Sequence, residues 1–359
     1  MIVYYIVFAI TLLLSCEIPA NTDKQWRWKL FWAFLPLFFF GALRVNFGND
    51  YDSYVDFFIE FHSSNSFYYD ENSHAEYGYQ LLNYIMPSFR SILVLNTFLL
   101  CFSLAVFIYR NVPKNYFWLV IILIFLNVEK NIYGPLVGTR NGFAIALFLL
   151  STVFIQKRII WAFAGMVAVA MQFHSTALFY MPIAYFVGRN KRITKTEIII
   201  WFAVAVFLLI SSLSGLVSFL EPYLVEYNEG YTLYIESGVY HRGWLLTMTG
   251  LVLLSLTFYH FWNNKEKFDS DQNSVIRVGL LYIMTTLLGS AAFRAGYFYD
   301  MFFIATVVLL LTKSKKEQYA KVLCFLAIMV SLYSFFLWRS VTSGNYRYDI
   351  YQSVFGILF

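Results

Sequence analysis

The chain has 359 residues, of which 60% are hydrophobic, 21% aromatic and only 13% charged. Soluble domains are about half apolar, so this composition excludes a soluble globular protein. It is typical of a membrane protein that crosses the bilayer many times.

Apolar segments along the whole chain predict helices that cross the membrane. A helix needs about 20 apolar residues to cross the hydrocarbon core, and we expect about twelve spans of roughly this length, near residues 2–16, 30–43, 91–109, 115–128, 135–156, 159–173, 175–188, 197–219, 244–262, 275–292, 295–311 and 321–338. The predicted fold class is an all-α polytopic membrane protein. It forms one membrane domain, residues 1–359, with two long periplasmic loops, residues 44–80 and 220–243.

The basic residues predict which side of the membrane each loop faces. Most of the 26 lysines and arginines fall in one set of alternating loops. Short cytoplasmic loops carry the excess of basic residues, so this set is cytoplasmic and the two long loops face outward. The net charge of +5 therefore reflects topology and does not indicate nucleic-acid binding.

Residues 159–188 form an apolar stretch too long for one membrane-crossing helix. Two short helices that meet at residues 172–176 would keep both basic flanks on the cytoplasmic side. Because each helix is short, the turn should lie below the outer surface. We therefore expect His174 at the floor of an outward-facing cavity.

The two outer loops combine carboxylates with many aromatic residues. Proteins hold sugars with this combination, because rings stack on sugar C–H faces and acids bind hydroxyl groups. The alternative is that the tyrosines form a belt at the membrane interface. The three cysteines lie in or beside apolar runs without ligand spacing, so they indicate no metal site.

Four short motifs resemble those of one bacterial protein family. The first, Arg44-Val-Asn-Phe-Gly-Asn-Asp50-Tyr51-Asp-Ser-Tyr54, resembles the R-x-x-x-G-x-D-Y-x-x-Y signature after the second helix of the EpsG family of exopolysaccharide proteins, with Asn49 where threonine is expected. Three more follow in the same order as in that family: Gly138-Thr-Arg140-Asn-Gly-Phe-Ala144, Phe173-His174-Ser-Thr-Ala177 and Arg294-Ala-Gly-Tyr297-Phe. The resemblance covers most of the chain.

The EpsG family is similar to the Wzy-type polymerases of O-antigen and related glycans. The resemblance implies a glycosyltransferase that polymerises undecaprenyl-diphosphate-linked oligosaccharide repeat units at the outer face of the bacterial inner membrane. Its expected partners are these lipid-linked oligosaccharides and membrane lipids, with a chain-length regulator as a further candidate. No cofactor is expected.

Arginines are the candidates for binding the diphosphate leaving group. A guanidinium group offers two parallel hydrogen bonds to phosphate oxygens without a metal ion. Arg140 and Arg294 each lie in the first turn of an outward-starting helix, where backbone N–H groups and the helix dipole also attract anions. Arg44 and Arg242 are further candidates. The alternative for each of them is contact with lipid headgroups.

Two residues are candidates for the general base that accepts the proton of the attacking hydroxyl group. His174 is one candidate, because an unperturbed histidine side chain titrates near neutral pH as a base should, although a lone membrane histidine also serves in interhelical packing. Asp50, in the outer-loop motif, is the rival. Asp300 lies in a predicted span and is expected to anchor an arginine. The aromatic candidates for sugar binding or support are Tyr51, Tyr54 and Tyr297. No metal is expected, because Asp50 and Asp52 form only a weak ligand pattern.

Two other functions stay open from the residues alone. A transporter or flippase of lipid-linked oligosaccharides would also use many spans and an arginine-lined cavity. It should show paired repeats with broken helices, and none is visible. A membrane O-acyltransferase centred on His174 would need an acyl donor from the cytoplasm, whereas the predicted topology places His174 near the outer side.

Overall fold

The computed structural model describes residues 2–63, 66–70, 73, 75–127, 129–213, 268–287, 293–312 and 352–353. These residues are mostly α-helical, as the composition predicts. The chain divides into two compact units, residues 1–183 with 315–359 and residues 184–314. The single domain predicted from the sequence stays a prediction.

Helices make up most of the described part of the first unit. They are α1 (Ile2–Glu17), α2 (Asp23–Ala42), α3 (Tyr51–His62), α4 (Tyr77–Ile85), α5 (Phe89–Asn111), α6 (Phe117–Leu126), α7 (Gly134–Val137), α8 (Thr139–Lys157), α9 (Ile160–Ala170) and the start of α10 (Ala177–Val187). A 3-10 turn, Lys114–Tyr116, precedes α6, and a π-helical turn, Glu129–Tyr133, follows it. α5 packs against both α2 and α8 and so lies at the centre of this unit.

The segment predicted as the first outer loop, residues 44–80, contains a short strand, one helix and the start of another. A short strand, β1 (Arg44–Val45), pairs antiparallel with β2 (Gln352–Ser353), and α3 and the start of α4 follow β1. α3 buries Tyr54 and Phe61, which lie two helical turns apart on one face. The second predicted loop, residues 220–243, lies outside the described residues.

An apolar cluster holds α3, α4, α5 and α8 together. Its buried members are Tyr54, Ala75, Tyr79, Leu82, Ile92 and Phe143. Phe173, in the turn between α9 and α10, stacks on Phe143 of α8 with ring centroids 4.9 Å apart. Stacked aromatic pairs add about 0.5–1.5 kcal/mol to the burial of their area. The cluster therefore fixes the first turn of α8 beside the turn at residues 171–176.

The described part of the second unit contains α11 (Lys195–Leu213), α12 (Ser270–Leu287) and α13 (Phe293–Thr312), beside the end of α10. α12 packs along α13 and against α11. These contacts bury an arginine in the middle of the unit.

Arg277 of α12 holds the segment before α11 in place. Its guanidinium group donates to both carboxylate oxygens of Glu197, at 2.5 and 2.9 Å. It also donates to the backbone carbonyls of Arg189, Lys191 and Arg192. These bonds use all five N–H groups of the side chain, so the charge is fully compensated although only 1% of the residue is exposed.

The described residues contain fewer membrane-crossing helices than predicted. Three are long and apolar enough: Phe89–Asn111, Thr139–Lys157 and Ala295–Thr312. A fourth span results only if Lys114–Leu126 and Asn131–Val137, which meet at 90°, form one bent span. This part of the chain is that of an all-α membrane protein, but it does not support the predicted count of twelve spans.

Three features account for the difference. Four of the first seven residues of α2 are charged, and its apolar part follows them. α6 ends where the chain bends. α1, α9 and α10 are apolar but too short to cross a membrane. The spans predicted at 244–262 and 321–338, and the ends of those at 197–219 and 275–292, lie outside the described residues. The break predicted at residues 172–176 is confirmed, since α9 ends at Ala170 and α10 begins at Ala177.

Candidate active site

The start of α4 lies against the turn between α9 and α10. The backbone N–H of Tyr79 donates to the carbonyl oxygen of Gln172 at 3.1 Å. Gly78 allows this approach, because a Cβ atom at that position would lie 2.6 Å from the Cβ atom and 2.9 Å from the carbonyl oxygen of Gln172. Glu76, which directly precedes α4, is thereby placed beside His174 and Ser175.

We expect Gly78→Ala to destabilise this junction. The added methyl group would collide with the backbone of Gln172, and overpacking of this kind costs about 1–3 kcal/mol. The midpoint of thermal unfolding of the purified protein in detergent should therefore fall. Gly165→Ala in α9 is the matched control, because a Cβ atom there has no neighbour within 4 Å. Equal midpoints for the two variants would contradict the close approach.

Glu76 is the centre of a polar cluster. Its Oε2 atom accepts a hydrogen bond from Nη1 of Arg140 at 2.8 Å, and its Oε1 atom accepts one from the backbone N–H of Ser175 at 2.9 Å. Nδ1 of His174 lies 3.5 Å from the same Oε1 atom. The side chains of Glu76, Arg140 and His174 are only 19%, 21% and 16% exposed. Three donors from two separate elements therefore face one carboxylate.

The electrostatics of Glu76 follow from these contacts. Burial alone would raise the pKa of the carboxyl group, but contact with His174, the charge of Arg140 and the Ser175 amide together lower the pKa to about 2. The carboxylate is therefore ionised throughout the physiological pH range. The surroundings of Glu76 are built to hold a negative charge.

Arg140 lies in the first turn of α8, as the sequence predicts, and α3 orients its side chain. Its guanidinium group donates a hydrogen bond to the hydroxyl oxygen of Tyr54, and the guanidinium carbon lies 6.0 Å from the ring centroid of Phe57. Burial raises the pKa of Tyr54. The positive charge of Arg140 lowers that pKa, and the negative charge of Asp50 raises it further. Tyr54 therefore stays neutral, and Asp50 lies within electrostatic reach of the cluster.

Two polar atoms of the site lack hydrogen-bond partners among the described residues. Nδ1 of His174 is buried and its contact with Glu76 does not have hydrogen-bond geometry. Oδ1 of Asn141, the residue after Arg140, is also buried and unsatisfied. Such groups are rare in folded proteins and each calls for an explanation. Both atoms lie beside Glu76 or Arg140, where a bound ligand could supply the missing hydrogen bonds.

Arg44 makes contacts of a different kind. The residue is 1% exposed, and its guanidinium group donates to the backbone carbonyls of Gly41 and Leu136 and to the hydroxyl group of Thr97. Arg90, in turn, donates to the carbonyl oxygen of Arg44 at 2.6 Å. These bonds link α2, α5 and α7. A role for Arg44 in diphosphate binding stays a prediction.

The other predicted site residues make no described contact with Glu76. Tyr51, at the start of α3, packs edge-on against Phe89 with centroids 5.4 Å apart. Arg294 is in the first turn of α13 of the second unit, as predicted, and that helix also carries Tyr297 and the buried Asp300. Arg242 lies outside the described residues.

Nothing in the sequence singles out Glu76 as a site residue. It was one of several carboxylates in the predicted outer loop, and no local pattern marks it. Its partners are 64 and 99 residues away along the chain. The one available signal in the sequence is its position, because Glu76 directly precedes the Tyr-Gly pair that begins α4. Among the described residues, no group of three or more metal-binding side chains comes together.

The helical architecture, the apolar spans and the partly buried polar cluster define a helical membrane protein with a charged site. The chain belongs to the EpsG family, whose family model matches residues 27–353, nearly the whole length. EpsG is a family of Wzy-like polymerases. The resemblance carried by the four motifs is thereby confirmed. No curated protein and no solved structure matches the chain.

Proposed function

We propose that the protein is a glycosyltransferase that polymerises oligosaccharide repeat units carried on undecaprenyl diphosphate. The observation that carries the proposal is the convergence of Arg140, the Ser175 amide and His174 on one anionic position in a chain of a polymerase family. A reaction that expels a diphosphate needs an anion site next to a base. The cluster around Glu76 supplies both kinds of group.

The proposed reaction is a single displacement. A hydroxyl group of the incoming lipid-linked repeat attacks the anomeric carbon of the growing chain, and a new glycosidic bond forms. The bond between that carbon and the diphosphate oxygen breaks, and undecaprenyl diphosphate leaves with the electron pair. The proton of the hydroxyl group passes to a base of the protein. One inversion at the anomeric carbon is expected, since no covalent intermediate is involved.

Arg140 is assigned to the diphosphate leaving group. Charge builds up on the leaving oxygens in the transition state, and a guanidinium group held by Tyr54 and Glu76 is already oriented to meet it. Arg294, Arg44 and Arg242 stay as the further predicted diphosphate ligands.

His174 is assigned as the base, with Asp50 as the rival. His174 lies in the same cluster as Arg140, and its Nδ1 atom faces Glu76, which leaves Nε2 as the acceptor for the proton. Asp50 directly precedes α3, and its charge acts on Tyr54. Tyr51, Tyr54, Tyr297 and Asp300 are assigned to sugar binding or support.

The site is assigned to the outer face of the bacterial inner membrane. The support is the distribution of basic residues, most of which lie in loops on the opposite side. Lipid-linked oligosaccharides would reach the site from the bilayer, and a chain-length regulator is a candidate partner.

Purified protein incubated with a lipid-diphosphate-linked repeat unit from its host, without nucleotide sugar, should produce a ladder of longer glycans. The repeat unit is both donor and acceptor, so no other substrate is needed. Gel electrophoresis or mass spectrometry of the products measures the ladder. A transporter or flippase would leave the repeat unit unchanged in length, and that result would overturn the proposal.

A further inference from the structure

The three donors around Glu76 form an anion site that the protein already fills with its own side chain. The proposed function assigns one of those donors, Arg140, to the diphosphate of the substrate. Bidentate pairing of the Arg140 fork with a phosphate would use the Nη1 group, which now donates to Glu76 at 2.8 Å. Substrate and Glu76 therefore compete for Arg140.

We propose that Glu76 is a positioning residue that the donor diphosphate displaces from Arg140, and that its carboxylate then acts on His174 instead. The inference rests on the proposed function, because it needs a diphosphate at Arg140 and a base at His174. It makes donor binding and activation of the base one coupled event.

The two carboxylate oxygens of Glu76 have separate partners. Oε2 faces Arg140, whereas Oε1 faces the Ser175 amide and Nδ1 of His174. Loss of Arg140 from Oε2 therefore leaves the contacts of Oε1 in place. Without the guanidinium group beside it, the negative charge of Glu76 is no longer neutralised and stabilises a protonated His174 more strongly. This favours transfer of the acceptor proton to the imidazole ring.

Glu76 is free to make this exchange without unfolding its helix. It precedes the first residue of α4 in an extended conformation, with φ −69° and ψ 155°, and its side chain makes no capping hydrogen bond. Its backbone carbonyl accepts the N–H groups of Tyr79 and Gln80. A small turn of the carboxylate about the last side-chain bond moves Oε2 away from Arg140, keeps Oε1 beside the Ser175 N–H, and leaves those backbone bonds intact.

Replacement by glutamine separates the two roles of Glu76. In Glu76→Gln the amide oxygen can still accept the Ser175 N–H, so the turn stays supported. The charge that competes for Arg140 is gone, and so is the charge that assists His174. A purely structural residue would behave otherwise, because its loss would weaken binding and turnover together.

The test measures binding and turnover on the full-length protein in nanodiscs. Inorganic pyrophosphate is the binding probe, titrated by calorimetry, and the ladder assay gives kcat. Glu76→Gln should bind pyrophosphate about two- to fivefold more tightly than the wild type, the range expected when one competing ion pair is removed. Its kcat should fall by at least about tenfold, because the base is no longer assisted.

Three variants serve as controls. Asp56→Asn removes the same charge from an exposed position on α3. It should change neither the affinity for pyrophosphate nor kcat. Arg140→Lys should weaken pyrophosphate binding about ten- to a hundredfold, which separates this site from other basic surfaces. If Glu76→Gln does not fold, Glu76→Asp replaces it, since its carboxylate is drawn back from Arg140 by one methylene group. It should show a smaller gain in affinity.

Each outcome decides something. Pyrophosphate binding that depends on Arg140 but is equal or weaker in Glu76→Gln overturns this inference and leaves the proposed function standing. Tighter binding with unchanged kcat overturns the transfer of charge to His174. Absence of Arg140-dependent binding in both the wild type and Glu76→Gln overturns the proposed diphosphate site and this inference with it.

Discussion

Arg140→Lys is expected to slow polymerisation about ten- to a hundredfold while the protein still inserts and purifies normally. Lysine keeps the positive charge but loses the planar fork that holds two phosphate oxygens at once. The fork also reaches Glu76 and Tyr54 together, and a single ammonium group reproduces that arrangement poorly. The loss corresponds to about 1.5–3 kcal/mol of transition-state stabilisation. The rate of ladder formation from the lipid-linked repeat measures it.

Arg110→Lys is the matched control for this substitution. Arg110 is an exposed arginine in the last turn of α5, and lysine serves equally well at the end of a helix near a membrane surface. Its rate should equal that of the wild type. Equal rates for Arg140→Lys and Arg110→Lys would show that the planar fork of Arg140 does not hold the diphosphate. The diphosphate site would then have to be sought elsewhere.

The sequence predicted Arg140 and His174 for a physical reason that the structure preserves. Both are polar residues at the ends of apolar segments, where a charge is costly unless it has a partner. Arg140 starts α8 and His174 lies in the break between α9 and α10. Such positions can be identified from a local pattern. What the pattern could not give is the partner that brings the two residues together.

Glu76 escaped prediction because its role depends only on tertiary contacts. The α4 backbone meets Gln172 through Gly78, and this approach aligns a loop carboxylate with Arg140 and with His174. Neither hydropathy nor charge spacing contains this information.

Within the part of the chain that the structure describes, fewer helices are long enough to cross a membrane than predicted, for a related reason. Hydropathy marks an apolar segment but not its end. The apolar run near residues 115–128 bends at the π-helical turn after α6, and the helices at 160–170 and 177–187 are each too short to cross a membrane by themselves. The length of a helix depends on breaks that tertiary packing decides.

His174→Ala is expected to cost on the order of 10² to 10⁴ in the rate of polymerisation, the usual range for general acid–base catalysis. A protonated imidazole cannot accept a proton, so the wild-type rate should fall on the acid side of its pH profile. The variant should lose that dependence. Glu76 cannot cause it, because its pKa of about 2 keeps it ionised throughout. Binding of pyrophosphate should persist, since Arg140 is unchanged.

His174→Asn and His174→Gln decide between a base and a packing residue. Either amide can donate a hydrogen bond to Glu76 and so maintain the cluster, but neither can accept a proton at neutral pH. If His174 is the base, both should be as slow as His174→Ala, whereas recovery of turnover in one of them would make His174 structural. Asp50→Asn would then be expected to abolish the reaction, because Asp50 is the other carboxylate whose charge reaches the cluster through Tyr54.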